Sequence, residues 1–352
     1  MKVPVSTYPG RTLVHQGKTF YYFGGTSYLG LQQDPEFREL AVEAIRQFGS
    51  SYGASRRANV HFTIYEEAEE KIAQWVGSEA ALTLSSGYLA GQMVANHFKN
   101  KEHKLFYAPN SHSALYTSGA KPYTTYTTLG IALRQHLEKK QAEIPVIFLD
   151  SIDFSGCNYP EFEILKTLPL ESCILVVDDS HGIGVVGESG SGVHRTLTSL
   201  PCKEIVLCSS MGKALSVQAG MVAGKTSRIE KMKASDFFGG ASPPAPFYMA
   251  QFLKAGPIYE NRRKVLQRHI TYFHSVVRNQ KLLNYMPDYP VFGYSNPDLT
   301  AYLRERFILV TDFRYPTEDT YATSRIVLTS AHQKDDLTTL AEILNSFGGK
   351  AR

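Results

Sequence analysis

Cys173-Ile174-Leu175-Val176-Val177-Asp178-Asp179-Ser180-His181 is a run of five apolar residues that stops abruptly on two carboxylates, a hydroxyl and an imidazole. A run this short and this apolar reads as a strand buried on both faces, the kind found inside a parallel sheet. Two more runs flank it in the chain. Ala81-Leu82-Thr83-Leu84 leads into Ser85-Ser86-Gly87-Tyr88, and Ile205-Val206-Leu207-Cys208 stops on Ser209-Ser210-Met211-Gly212-Lys213. Strand and helix signals alternate to about residue 224, which predicts βαβ units and a mostly parallel sheet flanked by helices. Ligands of such sheets sit outside the carboxyl ends of the strands. The three runs would therefore deliver their polar groups to one place.

Outward from this centre, residues 11–31 read as two short strands around Gln16-Gly17-Lys18. Asp34 is a good N-cap with Pro35 at the first helical position, Gly49 can end that helix, and Phe37, Leu40, Ala41, Ala44, Ile45 and Phe48 share one face. Thr63-Ile64-Tyr65-Glu66 predicts a capping box opening a helix that buries Ala68, Ile72 and Trp75 and ends at Gly77. After Pro243-Pro244 the texture changes. A long amphipathic helix (about 257–279) precedes strands near 290–294, 307–312 and 325–329, and a last helix near 333–346 starts from a Ser330…Gln333 box. The expected organisation is a segment 1–33 packing with the small domain, a large domain 34–250 and a small C-terminal α/β domain 251–352.

Composition sets the outer bounds. The 352 residues leave ample chain for a large core, and a net charge of +4 with 43% hydrophobic and 20% charged residues is ordinary for a soluble protein and gives no reason to expect nucleic acid. No apolar run approaches the roughly 20 residues that span a bilayer, and the N-terminus lacks the apolar region of a signal peptide. Cys157, Cys173, Cys202 and Cys208 show no metal or redox spacing, which favours a reduced, cytoplasmic setting.

The strand-end groups suit pyridoxal 5'-phosphate. A dianionic phosphate needs donors held in place, and Ser86-Gly87-Tyr88 stands between a strand and a helix start, where free N–H groups and the dipole favour anions. A plain Ser86 cap is the alternative reading. The pyridine nitrogen must stay protonated to accept electrons, and a buried carboxylate such as Asp178 favours the cation. Either Asp178 or Asp179 as a turn cap is again the alternative. The aldehyde needs an amine that can lose its proton, and Lys213, beside hydroxyls at a strand end, can form a Schiff base and later act as a base. His112 is a flat group suited to stacking on a ring. His181 could hydrogen-bond the ring oxygen or a substrate carbonyl. One Asp-Asp with a nearby His is weak grounds for a metal, and none is expected.

Ser85-Ser86-Gly87-Tyr88, Ser111-His112-Ser113, Asp178-Asp179-Ser180-His181-Gly182, Ser210-Met211-Gly212-Lys213-Ala214 and the stretch from Arg325 to His332 occur in the order found in the α-oxoamine synthases. Tyr28-Leu29-Gly30-Leu31 and Ser55-Arg56 also match. The chain resembles that family over about residues 20–345. The resemblance implies the fold-type-I, aspartate-aminotransferase-like architecture of pyridoxal-phosphate transferases. It implies that Lys213 carries the cofactor, Asp178 pairs with the pyridine nitrogen, His112 stacks on the ring and His181 lies near the ring oxygen. Ser210 and the Gly87-Tyr88 backbone would bind phosphate and Arg325 the substrate carboxylate, a task suited to a bidentate fork. A homodimer is implied in the same way. Thr26-Ser27, Tyr65 and Gly239-Gly240 depart from the family pattern, as does the absence of its N-terminal helix, and these departures bear on substrate choice.

The expected reaction is condensation of an amino acid with an acyl thioester, with decarboxylation to an α-oxoamine. Amino transfer to a 2-oxo acid is the alternative enzyme reading, and a catalytically idle partner subunit is the alternative outside catalysis. Gly182-Ile183-Gly184-Val185-Val186-Gly187 fits the dinucleotide fingerprint, but Asp-Asp-Ser-His separates it from its strand and a poor helix start follows it.

Overall fold

The computed structural model describes residues 3–139, 142–154, 158–313 and 324–348. Cys157 lies outside them. Among the described residues the strands are β1 (Thr12–His15), β2 (Lys18–Phe23), β3 (Ala80–Leu84), β4 (His103–Tyr107), β5 (Ile144–Asp150), β6 (Ile174–Asp178), β7 (Glu204–Ser210), β8 (Gly220–Gly224), β9 (Asn284–Tyr285), β10 (Val291–Tyr294), β11 (Ile308–Val310) and β12 (Ser324–Val327). Two compact units divide the chain. One is Glu39–Asp153 with Cys157–Gly256, and the other is Met1–Arg38, Phe154–Gly156 and Pro257–Arg352.

The first unit is built on a six-stranded sheet of order β3-β8-β7-β6-β5-β4. β4, β5, β6 and β7 are parallel neighbours, while β8 pairs antiparallel with both β7 and β3. β3 therefore points the same way as the parallel set, and β8 alone is reversed. Leu175, Val176 and Val177 are fully buried, as a strand covered on both faces requires. The helix Gly87–Phe98 lies across β7 and β8, and its Ala90, Met93, Val94 and Phe98 join Leu82, Val176, Val206 and Val222 in the core. This is the mostly parallel sheet flanked by helices that the alternation of strand and helix signals predicts.

The second unit holds two three-stranded sheets, β1-β2-β11 and β12-β10-β9. β1 and β2 turn at Gln16-Gly17, both with positive φ. Asp34 caps the helix Pro35–Phe48 by accepting from the N–H of Phe37 at 2.9 Å, and its other oxygen pairs with Arg262.

Three local expectations are corrected. Ile45 is 41% exposed, so the buried stripe of the first helix is narrower than its spacing suggests. The Thr63–Glu66 box does not form: Thr63 is already helical (φ −64°, ψ −20°) and its hydroxyl donates to Glu67 Oε1 at 3.1 Å, while Glu66 turns towards Arg56 at 3.4 Å. Ion pairing has taken the carboxylate that a cap would need. Ser330 is not a cap either, because its hydroxyl donates to the Leu29 carbonyl at 2.7 Å; Gln333 and Asp336 form the box that opens the helix Lys334–Asn345.

No described helix is long and apolar enough to cross a membrane. Cys173, Cys202 and Cys208 are free thiols.

Candidate active site

Because β3, β6 and β7 share a direction, their carboxyl ends open on the same edge of the sheet. β3 ends at Leu84, and Ser86 then adopts an extended conformation and caps the helix Gly87–Phe98, its hydroxyl accepting from the Leu89 N–H at 3.2 Å. The cap reading of Ser86 is therefore correct. It leaves the N–H groups of Gly87 and Tyr88 in the first turn, where the helix dipole favours an anion. Gly87 is required sterically: a Cβ there would stand 2.4 Å from Ser210 Cβ and 2.6 Å from its Cα. That close approach brings the helix start against the end of β7. Gly220, which opens the reversed strand β8, is pressed in the same way, a Cβ falling 2.0 Å from the Ser86 carbonyl oxygen.

β6 delivers two carboxylates to opposite faces, as alternation along a strand demands. Asp178 is nearly buried and accepts from the Ser180 N–H at 2.9 Å; the Ser180 hydroxyl in turn accepts from the Ser210 N–H at 2.8 Å. The ends of β6 and β7 are thus tied together through Ser180. Asp179, fully buried, accepts from the Ser151 hydroxyl at 2.6 Å and the Val193 N–H at 3.1 Å. Burial is the main reason its carboxyl is pushed up to about 7, a rise that those two hydrogen bonds oppose. The glycine loop after β6 wraps this second carboxylate: a Cβ on Gly182 or Gly192 would fall 2.0 Å from one of its oxygens. Of the three glycines with dinucleotide-like spacing, Gly182 therefore packs on Asp179, while Gly184 packs on Ala214 and Leu215 and Gly187 on the Gly192 carbonyl.

Lys213 follows β7 on a loop that folds back, Met211 and Val217 joined by a backbone hydrogen bond of 3.1 Å. Its Nζ lies 2.8 Å from His181 Nε2. His112 is fixed at both ends: its N–H donates to Asp150 Oδ1 at 2.9 Å, and its Nδ1 accepts from the Ala114 N–H at 3.0 Å. Burial holds the imidazole below its usual range, with Asp178 and Lys213 both close enough to act on it. Asp150 pairs in register with Asp178, and burial together with that neighbouring charge raises its carboxyl well above the usual range.

Ser86, Gly87, Tyr88, His112, Asp178, His181, Ser210 and Lys213 thus all belong to one unit and cluster around the ends of β3, β6 and β7. Tyr88 is 59% exposed, so its share in an anion site is its backbone N–H. Arg325 belongs to the other unit, on β12, its backbone paired with Thr311 at 2.9 and 3.0 Å. Two residues escaped the sequence reading. Asp150 ends an apolar run just as Asp178 does, a signal that was there to be seen. Ser180 carries no signal, because only the pairing of β6 with β7 gives its hydroxyl a partner.

The arrangement fits pyridoxal phosphate. Glycine-lined approach and two first-turn amides beside the Ser210 hydroxyl suit the phosphate, a buried carboxylate suits a protonated ring nitrogen, and an amine held against an imidazole suits covalent attachment. Among the described residues no group of three or more His, Cys, Asp or Glu is placed to hold a metal. Tyr65, one of the departures from the family pattern, is fully buried, donates to the Pro244 carbonyl at 2.8 Å and lies 4.3 Å from the Arg56 guanidinium. Ser55 donates to the carbonyl of Gly239 at 2.7 Å.

The sequence profile of aminotransferase class I and II matches residues 23–344. The 8-amino-7-oxononanoate synthase of Nitrosomonas eutropha is 28% identical over 95% of this chain and 91% of its own length. Among solved structures, Sphingomonas wittichii serine palmitoyltransferase superposes with a TM-score of 0.80 at 16% identity, covering 98% of this chain and 91% of that one. The 8-amino-7-oxononanoate synthase of Francisella tularensis gives 0.69 at 19% identity, covering 93% and 97%.

Proposed function

Because this chain belongs to the aminotransferase class I and II family, we propose that it is a pyridoxal-phosphate-dependent acyltransferase that condenses an amino acid with an acyl thioester, in the manner of an 8-amino-7-oxononanoate synthase. The observation that carries the cofactor chemistry is the convergence of Lys213, His181 and Asp178 at neighbouring strand ends, with Lys213 Nζ 2.8 Å from His181 Nε2. Acyl rather than amino transfer is supported by relatives matched over nearly the whole chain that bear the synthase name.

Pyridoxal phosphate, when bound, supplies an electrophilic aldehyde and a ring that accepts the electron pair left at the amino acid's Cα. The residues do the rest. Lys213 would hold the cofactor, and its Nζ would take the Cα proton of the bound amino acid. Asp178 would favour the protonated pyridine nitrogen, and His112 would offer a flat face to the ring. The Gly87 and Tyr88 N–H groups and the Ser210 hydroxyl hold the phosphate, and Ser86 fixes the helix start that presents them. His181, 2.8 Å from the Lys213 amine, orients it and would hydrogen-bond the ring oxygen. Arg325 takes the substrate carboxylate, a role supported by its chemistry: no described carboxylate pairs with it, and its Nε is buried without a hydrogen-bond partner. A carbon–carbon bond forms at Cα as the thioester C–S bond breaks and the thiolate leaves to take a proton from solvent; the carboxylate then leaves as carbon dioxide, and Cα regains the proton held on Lys213 Nζ.

Borohydride reduction followed by peptide mass mapping should place the cofactor on Lys213; an adduct on another lysine removes the proposal. Thiol release from acyl-CoA in the presence of small amino acids should occur without any 2-oxo acid. Turnover that requires a 2-oxo acid and frees no thiol would instead establish amino transfer. We further propose a cytoplasmic homodimer as the working form, checked by sedimentation.

A further inference from the structure

A buried guanidinium ordinarily finds a carboxylate, because leaving the charge uncompensated in a poorly solvated place is costly. Arg325 has none among the described residues, and it is half-buried on a strand whose backbone is pinned by Thr311. In place of a carboxylate it has a ring. Its guanidinium carbon stands 4.2 Å from the centroid of Phe154. Phe154 in turn leans on Tyr289 at 6.4 Å, and Tyr289 meets Tyr28 edge-on at 5.9 Å. Tyr28 is almost wholly buried. Its hydroxyl is paired with Tyr289, and burial pushes it up to about 12, so it stays neutral at ordinary pH.

A ring face stabilises a cation without occupying its N–H fork, whereas a carboxylate from the chain would take that fork bidentately and compete with any incoming one. We propose that Phe154 is a positioning residue: its ring, backed by Tyr289 and Tyr28, steadies Arg325 in place of a protein counterion and so keeps the guanidinium open to the carboxylate of the amino-acid substrate. The inference rests on the functional reading above and adds to it a residue that carries no polar group and would not be sought as part of a binding site. It also requires an aromatic ring at position 154, since a Leu or Met of similar bulk offers no negative face.

The test uses the holoprotein loaded with pyridoxal phosphate. Glycine, L-alanine and L-serine, each alongside its amide, are titrated while the cofactor's visible absorbance is followed. The unsubstituted protein should prefer an acid to its amide, and Arg325→Met should abolish that preference. Phe154→Leu should lower the preference by about tenfold, and Phe154→Tyr should keep it within about twofold. Phe154→Met repeats the measurement should Phe154→Leu lose its cofactor. An acid-over-amide preference unchanged in both aliphatic variants overturns the role of Phe154 while leaving the functional reading intact. An unsubstituted holoprotein whose absorbance answers to none of these amino acids overturns the functional reading itself.

Discussion

At the scale of single residues, Asp178 and Asp179 are neighbours of the same chemistry with opposite duties. Asp178 faces the same side of the sheet as Asp150, within electrostatic reach of His112, and is the carboxylate we propose to pair with the ring nitrogen. Asp178→Asn should keep the fold and the covalent attachment at Lys213 yet lower kcat by at least about a hundredfold, since a neutral amide cannot favour the protonated ring. Asp179 is a packing group whose carboxyl, at about 7, sits above its usual value of 3.8. With the folded value raised, the native form binds the proton more tightly than the unfolded chain. The associated stability is therefore complete below about pH 4 and is lost as pH rises towards 7. Asp179→Asn has no such titration. Urea midpoints should show the variant gaining on the parent between pH 5 and pH 8; an equal difference at both would mean that Asp179 is ionised in the fold.

Secondary-structure elements meet at the site through positions with no side chain to spare. The helix Gly87–Phe98 starts where Gly87 touches Ser210, and Gly87→Ala should cost about 1–3 kcal/mol by overpacking while sharply reducing cofactor retention, read as the absorbance of purified protein. Ser86→Ala removes only the cap and should cost about 1 kcal/mol, with the cofactor retained. A second junction lies behind β3. Buried Glu69, on the helix Ile64–Val76, pairs with Arg56 at 2.8 Å and Lys233 at 3.2 Å, and accepts from the Thr83 N–H and hydroxyl at 2.8 and 2.9 Å. One carboxylate thereby joins a loop, two helices and a strand. Glu69→Gln leaves buried charge uncompensated and should destabilise by about 3–5 kcal/mol, measurable as a lower urea midpoint. Here the expectation of helix starts from local spacing failed at Thr63, because Arg56, from the loop before the helix, paired with Glu66.

For the molecule as a whole, every group proposed to touch the cofactor belongs to the unit Glu39–Asp153 with Cys157–Gly256. Hydrogen exchange should therefore slow on adding pyridoxal phosphate first around 85–88, 110–114, 178–182 and 209–214. The stabilisation should be about 2.7 kcal/mol at a cofactor concentration a hundred times its Kd. Protection absent from these segments would place the cofactor elsewhere. Much of this was legible from the chain alone. Short apolar runs ending on Asp178, Ser210 and Lys213 could be strands of only one kind, since a charged group directly after a doubly buried strand must emerge at its end, and hydrophobic patterning depends on sequence and not on distant partners. What tertiary structure alone decided were the relations between strands: that β8 runs backwards between β3 and β7, that Ser180 ties β6 to β7, that Asp150 stands beside Asp178, and that Arg325 rests on Phe154. Those depend on register and on approaches between residues far apart in the chain, and no local preference encodes a partner that only folding brings near.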